Sequence, residues 1–441
     1  MDTEKLKQKI LDLAIRGKLV PQDSNDESAE ELIKKIQEEK AKLVKEGKIK
    51  ASKEESIIFK GSDNCYYEKT TKRIIKVDEN FEFPKSWISM KLGSIGDWGA
   101  GATPNRSNKS YYENGDVLWV KTGELNDGYI FDSIEKITTK ALNECSLRNN
   151  NVGDVLIAMY GATIGKLGIA AVPLTTNQAC CACTPFSFIN NEYLFYYLMA
   201  IKPLLISKSY GGAQPNISKE KITNCFINFP KLDEQILIVN KIKELFKKIE
   251  TIGNEYNSII NLISATKRKV LEEIFGENSS YKSYYENEYF LGDLLPYEQP
   301  ALYIVKSTIY DDKYDTPVLT PGKSFILGYT NEKEGVYHVN NSKVIIFDDF
   351  TTASRIIDFD FKVKSSAMKI LKSSDETKFN IDYLYFLLQT LYVNNDTHKR
   401  YWISEFATKK VKVHTYDEQL KIVKTINDIT TKLDYIIDSK I

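Results

Sequence analysis

Four short stretches of the chain concentrate hydroxyl, amide and cationic side chains of the kinds that contact nucleic acids. Arginine and lysine match the edge of guanine, asparagine and glutamine match adenine, and small hydroxyls and amides bind phosphate oxygens. An ordinary polar loop is the alternative interpretation for each side chain. The candidates are Thr103, Asn105, Arg106, Ser107, Asn108 and Lys109, then Tyr160, Thr163 and Lys166, then Asn177 and Gln178, and finally Tyr210, Gln214, Asn216 and Lys219.

A second set of the same side-chain types lies in the C-terminal half. The two regions differ in charge, because residues 84–232 contain 14 basic and 11 acidic residues, whereas the later region contains the acidic pair Asp348-Asp349. A local excess of positive charge favours contact with phosphates. The C-terminal candidates are Lys323, Tyr329, Thr351, Thr352, Arg355, Lys399 and Arg400.

Three glycine-containing segments resemble cofactor loops but lack parts that those loops need. Residues 99–101 read Gly-Ala-Gly, as in a methyl-donor loop, yet Thr103-Pro104 follows where a helix should begin, and the chain has no Asn-Pro-Pro-Tyr. GATIGKL (161–167) is one residue short of a phosphate loop, and PVLTPGKS (317–324) begins with proline where that loop needs glycine. The sequence therefore predicts neither methyl transfer nor nucleotide hydrolysis.

Cysteine and histidine are too scattered to indicate a reactive site. Cys180, Cys181 and Cys183 lie in a β-like run with no histidine nearby, which favours core packing over zinc binding. The three histidines stand singly in the sequence, so no pair of nucleophile and base is indicated. We expect a non-catalytic protein with no metal and no cofactor.

Composition is typical of a folded, electrically neutral chain with several domains. Its 441 residues suggest two or three cores, and 42% hydrophobic with 27% charged residues is ordinary globular usage. The 60 basic residues balance 60 acidic ones, so nucleic-acid contact must come from local patches or from partners. No apolar run approaches the ~18 residues of a membrane span, the N-terminus lacks a signal segment, and six cysteines are too few for a disulfide scaffold. These features predict a cytoplasmic protein that does not bind membranes.

Apolar residues at spacings of three and four predict helices around the candidate stretches. Residues 2–16 form a short helix that ends at Gly17, and residues 28–47 form a charged helix that leads into a Lys-rich connection as far as Val77. Residues 232–275 predict one helix of about 65 Å, which must pack against another long helix. A last helix begins at Asp417. The apolar seams of the two longer helices contain Ile236, Val239, Ile242, Ile249, Ile259 and Ile263, and Ile422, Ile426, Ile429 and Leu433.

Segments of the first half recur in the second half in the same order. The spacing between matched segments shrinks gradually along the chain, as expected for a duplicated domain with small deletions. The matches are KLGS (91–94) with FLGD (290–293), GDVLI (153–157) with SKVII (342–346), EYLFYYL (192–198) with DYLYFLL (382–388), and Asp-Glu-Gln at 233–235 with the same residues at 417–419.

The last helix is only about half as long as the middle one, and its missing half corresponds to the N-terminus. LKQKILD (6–12) aligns with TKRKVLE (266–272) at the end of the middle helix. This alignment predicts a circularly permuted duplication, in which residues 417–440 and 1–16 together replace one long helix. Two antiparallel long helices would then separate two similar domains about an approximate two-fold axis. Such an arrangement suits duplex DNA, whose backbone has the same symmetry.

Taken together, these motifs resemble the specificity subunit of a type I restriction-modification system. The resemblance covers nearly the whole chain and implies two target recognition domains, each reading one half of a split DNA site. It also implies spacer helices whose seams bind two methyltransferase subunits, and a motor-nuclease subunit in the full enzyme. The second domain departs from the pattern, since TTASRI (351–356) replaces TIGK and KRYWISEFATKK (399–410) replaces the GGAQPNIS loop. The motifs are LKQKILDLAIRGKLVPQD (6–23), GATP (101–104), MYGATIGKLG (159–168), TNQACCA (176–182), GGAQPNIS (211–218) and LDEQ (232–235).

We therefore expect an α+β fold with two similar mixed α/β target recognition domains, separated by two long antiparallel coiled-coil helices in a circularly permuted internal duplication. The expected function is recognition of a double-stranded DNA sequence without catalysis. The alternative, a symmetric scaffold whose partners alone contact DNA, fits the same apolar seams. The expected segments are an N-terminal helix (1–17), a charged helix and linker (18–80), target recognition domain 1 (81–231), a central spacer helix (232–276), target recognition domain 2 (277–416) and a C-terminal spacer helix (417–441).

Overall fold

Ten α-helices and 22 strands occupy the part of the chain that the structure, a computed structural model, describes. That part divides into two units, Met1–Asn254 and Glu255–Ile441, which are called the first and the second unit below. The described residues are 2–22, 28–47, 49, 56–70, 72–77, 81–208, 216–276, 279, 285–320, 325–340, 342–391 and 400–438.

The bounds of the elements are as follows. The helices are α1 Thr3–Ile15, α2 Ala29–Lys45, α3 Thr139–Glu144, α4 Asn191–Ala200, α5 Lys202–Ser207, α6 Lys219–Thr223, α7 Leu232–Phe275, α8 Leu291–Leu294, α9 Ile381–Thr390 and α10 Tyr416–Asp438. The strands are β1 Ile57–Lys60, β2 Tyr66–Lys69, β3 Ile74–Val77, β4 Ile88–Lys91, β5 Gly96–Ala100, β6 Val117–Val120, β7 Gly128–Ile130, β8 Lys136–Ile137, β9 Val155–Ala158, β10 Leu167–Ala170, β11 Thr175–Thr176, β12 Cys180–Pro185, β13 Phe226–Phe229, β14 Tyr285–Phe290, β15 Tyr297–Glu298, β16 Thr316–Leu319, β17 Ile326–Thr330, β18 Val344–Asp348, β19 Ser354–Ile357, β20 Lys362–Val363, β21 Met368–Leu371 and β22 Lys410–His414.

The α+β class and the long middle helix are confirmed. Helix α7 contains all 44 residues from Leu232 to Phe275, because its apolar spacing continues without proline over that length. Helix α1 ends just before Gly17, which adopts the left-handed conformation at φ +67°. Glycine takes that conformation without steric cost, so it ends the helix where the sequence predicted.

One sheet of the first unit includes three strands that the sequence did not predict. Its strand order is β13-β4-β1-β2-β3, and all of its pairs are antiparallel. The Lys-rich connection predicted up to Val77 is wrong over residues 57–77, which form β1, β2 and β3. Burial of Ile57 and Ile58 in the core of the unit stabilises β1, a tertiary contact that four residues of local sequence do not indicate.

A second, mixed sheet of the first unit carries the candidate stretches. Its order is β5-β12-β9-β10-β7, where β10 pairs with β7 in parallel and the other pairs are antiparallel. The three cysteines of β12 are fully buried, and burial raises the pKa of Cys180 to about 12 and that of Cys181 to about 11. The prediction that these thiols pack in the core is confirmed.

Helix α1 lies antiparallel along the first part of α7. Thr3 lies beside Gly253, the Lys7 ammonium is 5.9 Å from the Phe246 ring centroid, and the Gln22 amide donates to Glu234 at 2.7 Å. Later residues of the N-terminal segment therefore lie beside earlier residues of α7. Ile10, Leu11 and Ala14 bury the inner face of α1 in the core of the first unit.

The second unit contains a comparable helix pair and three small sheets. The Lys267 ammonium contacts the Asp434 carboxylate at 2.6 Å, and Ile274 shares a core with Ile422 and Ile426, so α10 is antiparallel to the second part of α7. The sheets have the orders β15-β21-β18-β19, β17-β16-β20 and β14-β22. Helix α9 packs beside β18, β19 and α10.

The described residues contain neither a metal-binding cluster nor a membrane-spanning helix. They contain no group of three or more His, Cys, Asp or Glu side chains placed to hold a metal ion. None of their helices combines the length and the apolar character needed to cross a membrane.

Candidate nucleic-acid interface

The candidate stretches of the first unit leave the same end of one sheet. Ala100 ends β5 opposite Cys181, Cys180 begins β12 opposite Ala158, and Ala158 ends β9 beside the start of β10. Because neighbouring strands are antiparallel, the segments 101–109, 159–166 and 176–179 emerge together at this end. We call this edge the first reading end.

Hydrogen bonds join these segments to one another. The Thr103 hydroxyl donates to the side-chain oxygen of Gln178, and the Ala102 amide donates to the Thr176 carbonyl at 3.1 Å. The Ile217 amide donates to the Met159 carbonyl at 2.9 Å, which brings the segment beginning at Asn216 to the same end. Distant parts of the sequence thus form one polar surface.

The turn after β9 presents Tyr160, Thr163 and Lys166. Tyr160 is 44% exposed and forms a β-bridge with Asn216, while the Thr163 hydroxyl donates to the Tyr160 carbonyl at 3.0 Å. Lys219 begins α6, and its ammonium lies 3.4 Å from the Trp98 carbonyl oxygen. The described members of these stretches therefore lie at the same end of the sheet, and their contact with DNA stays a prediction. Tyr210 and Gln214 lie outside the described residues.

The segment 102–108 is tied to the domain by residues that the sequence analysis missed. The Trp119 indole donates to the Ala102 carbonyl at 3.1 Å, and the Tyr112 hydroxyl donates to the Pro104 carbonyl at 2.6 Å. The only sequence signal for Trp119 is its place in the apolar run 117–120. These bonds preorganise the segment before any ligand binds.

Arg106 is held by three neighbours. Its guanidinium carbon lies 4.7 Å from the Tyr112 ring centroid and 4.8 Å from that of Trp119, and its Nη1 contacts Glu135 at 2.7 Å. Hydrogen bonds from Lys121 and Arg106 hold the pKa of the Glu135 carboxyl below its usual value, so the anion persists at neutral pH. The Arg106 side chain is nevertheless 53% exposed, which leaves part of its donor edge towards solvent.

The two asparagines of this segment use their oxygens internally. The Asn105 oxygen accepts hydrogen bonds from the Ser107 amide and hydroxyl, and the Asn108 oxygen accepts them from the amide and hydroxyl of Ser110. Their side-chain NH₂ groups can donate to a ligand, so both asparagines offer donors rather than acceptors there. Lys109 follows as an exposed cation. Asn177 is half-buried and its side-chain oxygen is enclosed, whereas Gln178 is exposed.

The second unit has a corresponding edge with a different surface. Asp348 ends β18 opposite Met368, the first residue of β21, and Ser354 begins β19 opposite Phe347. The Thr351 amide donates to the Asp348 carboxylate at 3.1 Å and its hydroxyl bonds the same oxygen, so Thr351 points back into the turn. Thr352 takes the left-handed conformation at φ +62°. We call this edge the second reading end.

The remaining C-terminal candidates are spread unevenly. Arg400 lies beside the second reading end, because the Tyr401 amide donates to the Asp349 carbonyl at 3.0 Å. The Arg355 guanidinium stacks 4.7 Å from the Phe325 ring centroid. Tyr329 lies opposite Pro317 at the other end of β17, apart from this group. Lys323 and Lys399 lie outside the described residues.

Five of the ten predicted seam residues of α7 and α10 lie inside the chain's own cores. The buried members therefore offer little surface to another subunit. They are Val239, Ile242, Ile249, Ile263, Ile422 and Ile426, while Ile259, Ile429 and Leu433 are half-buried and Ile236 is 40% exposed. The large apolar side chains that these helices expose include Leu237, Leu262 and Tyr435, at 59%, 68% and 71%.

Comparison with known proteins shows a similarity over part of the chain. Residues 84–261 match the family described as the type I restriction modification DNA specificity domain. The chain is 48% identical over 147 residues to the type I restriction enzyme EcoR124I/EcoR124II specificity subunit of Escherichia coli, which covers 33% of this chain and 36% of that protein. Over these matched residues the chain is similar to type I restriction-modification specificity subunits.

Two further similarities extend over more of the chain. The MjaIX specificity subunit of Methanocaldococcus jannaschii is 28% identical over 310 residues, or 67% of this chain and 68% of that protein. A solved chain from work on the assembly and conformational transition of a type I R-M system matches with a TM-score of 0.60 at 16% identity, covering 81% of this chain and 93% of that one. The second similarity shows that this chain shares the fold of that solved chain. The match to the Escherichia coli subunit spans about a third of that protein's length.

Proposed function

We propose that this chain is the DNA sequence-recognition subunit of a type I restriction-modification enzyme, and that each unit reads one half of a two-part site. The observation that carries the proposal is the convergence of the polar stretches at one end of a sheet in the first unit. A surface built from loops at strand ends can approach a groove while the sheet holds the loops in place. Arg106, Gln178 and Lys219 supply donors suited to base edges and phosphates.

The two sheets support an internal duplication. Strands β5-β12-β9-β10 of the first unit and β15-β21-β18-β19 of the second follow the same order, and β6 pairs with β11 in parallel as β16 pairs with β20. In the proposed permuted scheme, α1 corresponds to the end of α7, and α10 corresponds to its beginning. A chain with two related readers is suited to a site with two specified halves.

We assign α7 and α10 the role of coiled-coil spacers that set the gap between the half-sites and bind two methyltransferase subunits. Exposed apolar side chains such as Leu237, Leu262 and Tyr435 favour such contacts, since buried seam residues are already covered. A motor-nuclease subunit would complete the enzyme. The chain itself supplies recognition, and methylation of adenine and cleavage of DNA are carried out by the partners.

Selection from a random duplex library with the assembled complex tests this function. The expected result is enrichment of two short conserved blocks separated by a gap of constant length. One continuous block, or no enrichment, contradicts the proposal. Photo-crosslinking a selected duplex distinguishes the scaffold alternative, because adducts on residues 101–109 and 159–166 are expected for a reader, whereas adducts confined to partner subunits identify a scaffold.

A further inference from the structure

An ion pair is buried at the second reading end. The Lys369 ammonium lies 3.4 Å from an Asp349 carboxylate oxygen, and the two side chains are 0% and 1% exposed. The same ammonium is 5.3 Å from the Tyr297 ring centroid. Removing two charges from water is costly, and the mutual attraction offsets this cost only in part. A purely apolar core would avoid the cost, so we expect the buried pair to have a structural role.

Asp349 connects three segments of this end. Its amide donates to the Ala367 carbonyl at 3.0 Å, and its carbonyl accepts the Tyr401 amide at 3.0 Å. One oxygen of its carboxylate accepts the Trp402 amide at 2.8 Å, while the other oxygen faces Lys369. The carboxylate therefore holds the main chain two residues after Arg400, and Lys369 neutralises the buried charge.

The first unit has the same two main-chain hydrogen bonds without the ion pair. The Met159 amide donates to the Ala179 carbonyl at 2.8 Å, and the Met159 carbonyl accepts the Ile217 amide at 2.9 Å. Cys181, opposite Ile157, takes the place that Lys369 takes opposite Phe347. The thioether of Met159 and the thiol of Cys181 thus stand where the second unit has the Asp349 carboxylate and the Lys369 ammonium. The hydrogen bond from the Trp402 amide to a carboxylate is a feature of the second unit.

We propose that Asp349 is a positioning residue that fixes Arg400 at the second reading end, and that Lys369 supports it by balancing its charge. The inference rests on the proposed function and assigns these two buried residues to the specificity of one half-site. Asp349 acts on DNA only through the segment it holds. The Asp349 carbonyl supplies one hydrogen bond to the 400–402 segment, through the Tyr401 amide, and the carboxylate adds a second one, to the Trp402 amide, that sets its orientation.

A pair of double variants separates positioning from stability. Asp349→Asn with Lys369→Met removes both charges but keeps a side-chain oxygen that can accept the Trp402 amide. Asp349→Met with Lys369→Met removes that acceptor as well and copies the methionine of the first unit. Neither variant leaves a buried charge alone, which would be the most damaging outcome for folding.

Selection from a random duplex library with the assembled complex supplies the readout. We expect the Asn/Met variant to keep the wild-type preference in both blocks. The Met/Met variant should lose about tenfold or more in discrimination within one block, as for one lost base contact, and keep the other block. Equal preferences for the two variants, or equal loss in both blocks, overturn the inference.

Lys362→Met provides the matched control within the second unit. Lys362 is 1% exposed, pairs with Glu332 at 3.2 Å and donates to the Glu334 and Gly335 carbonyls, away from the 400–402 segment. We expect it to lower thermal stability without changing either block, and a relaxed block in this control would also overturn the inference. If the wild-type complex yields no two-block site, the proposed function fails instead, so the two failures are distinguishable.

Discussion

Gln235 and Gln419 occupy the same hydrogen-bonding position in the two units. The Gln235 amide donates to the Phe188 and Pro230 carbonyls at 3.0 and 2.9 Å, and its oxygen accepts the Asn190 amide at 2.8 Å. The Gln419 amide donates to the Lys378 and His414 carbonyls at 3.0 and 2.9 Å, and its oxygen accepts the Asn380 amide at 2.8 Å. Gln235 thus ties the first turn of α7 to the start of α4, and Gln419 ties the first turn of α10 to the start of α9.

Replacing either glutamine should loosen its own unit. Gln235→Leu or Gln419→Leu removes the side-chain partner of three buried or part-buried main-chain groups, with an expected cost of about 1 to 3 kcal/mol in the free energy of unfolding. Hydrogen exchange should show faster opening at the start of α4 in the first variant and of α9 in the second. Gln37→Leu, at an exposed position of α2, is the control. Unchanged exchange in both helices would contradict the assignment.

Gly17 should tolerate alanine less well than Gly47. Both glycines have a left-handed backbone, at φ +67° and +68°, but a Cβ on Gly17 would meet the Pro84 Cγ at 2.4 Å, whereas a Cβ on Gly47 would have no neighbour within 4 Å. We expect Gly47→Ala to cost about 1 to 2 kcal/mol from backbone strain alone, and Gly17→Ala to cost more. Chemical denaturation measures both, and equal losses would show that Pro84 moves aside freely.

Arg106→Lys should impair one half-site although it keeps the positive charge. Lysine cannot reproduce the planar stacking between Tyr112 and Trp119, so the segment that carries it loses support. We expect a loss of about 1 to 3 kcal/mol in discrimination within one block of the selected site. Lys109→Ala is the control, because an exposed cation that contacts phosphate should weaken binding to all sequences alike. A uniform loss in Arg106→Lys would reassign Arg106 to a backbone contact.

Lys40 gives the first unit a pH-dependent stability. Burial lowers the pKa of Lys40 from 10.5 to about 8. Between these two values the unfolded chain binds this proton more than the folded chain does, so the free energy of unfolding rises with pH across that window. Lys40→Met should remove this rise and stabilise the protein at pH 7 by about 1 to 2 kcal/mol.

Denaturation of the wild type and the Lys40 variant at several pH values gives the comparison, since other titrating groups are common to both. Lys42→Met, at an exposed position of the same helix, should retain the wild-type slope. Parallel curves for the wild type and Lys40→Met would show that Lys40 keeps an ordinary pKa in the folded protein.

Helices and buried runs were predictable because their signal is local. Helix α7 repeats its apolar spacing over 44 residues, and β6 coincides with the apolar run 117–120. Gly17 marked the end of α1 through its backbone preference alone. The candidate segments 101–109 and 176–178 were likewise recognisable from side-chain chemistry, without knowledge of which strand precedes them.

The sequence by itself determined the periodicity of the helices, the order of the repeated segments and the types of side chain available for contact, since each depends on residues close together in the chain. Only the tertiary structure decided how those side chains are used. Arg106 is stacked by residues 6 and 13 positions away, Thr351 is turned inwards by Asp348, and β1 pairs with the distant strand β4. These outcomes depend on burial and on partners brought together by folding, and local propensity contains neither.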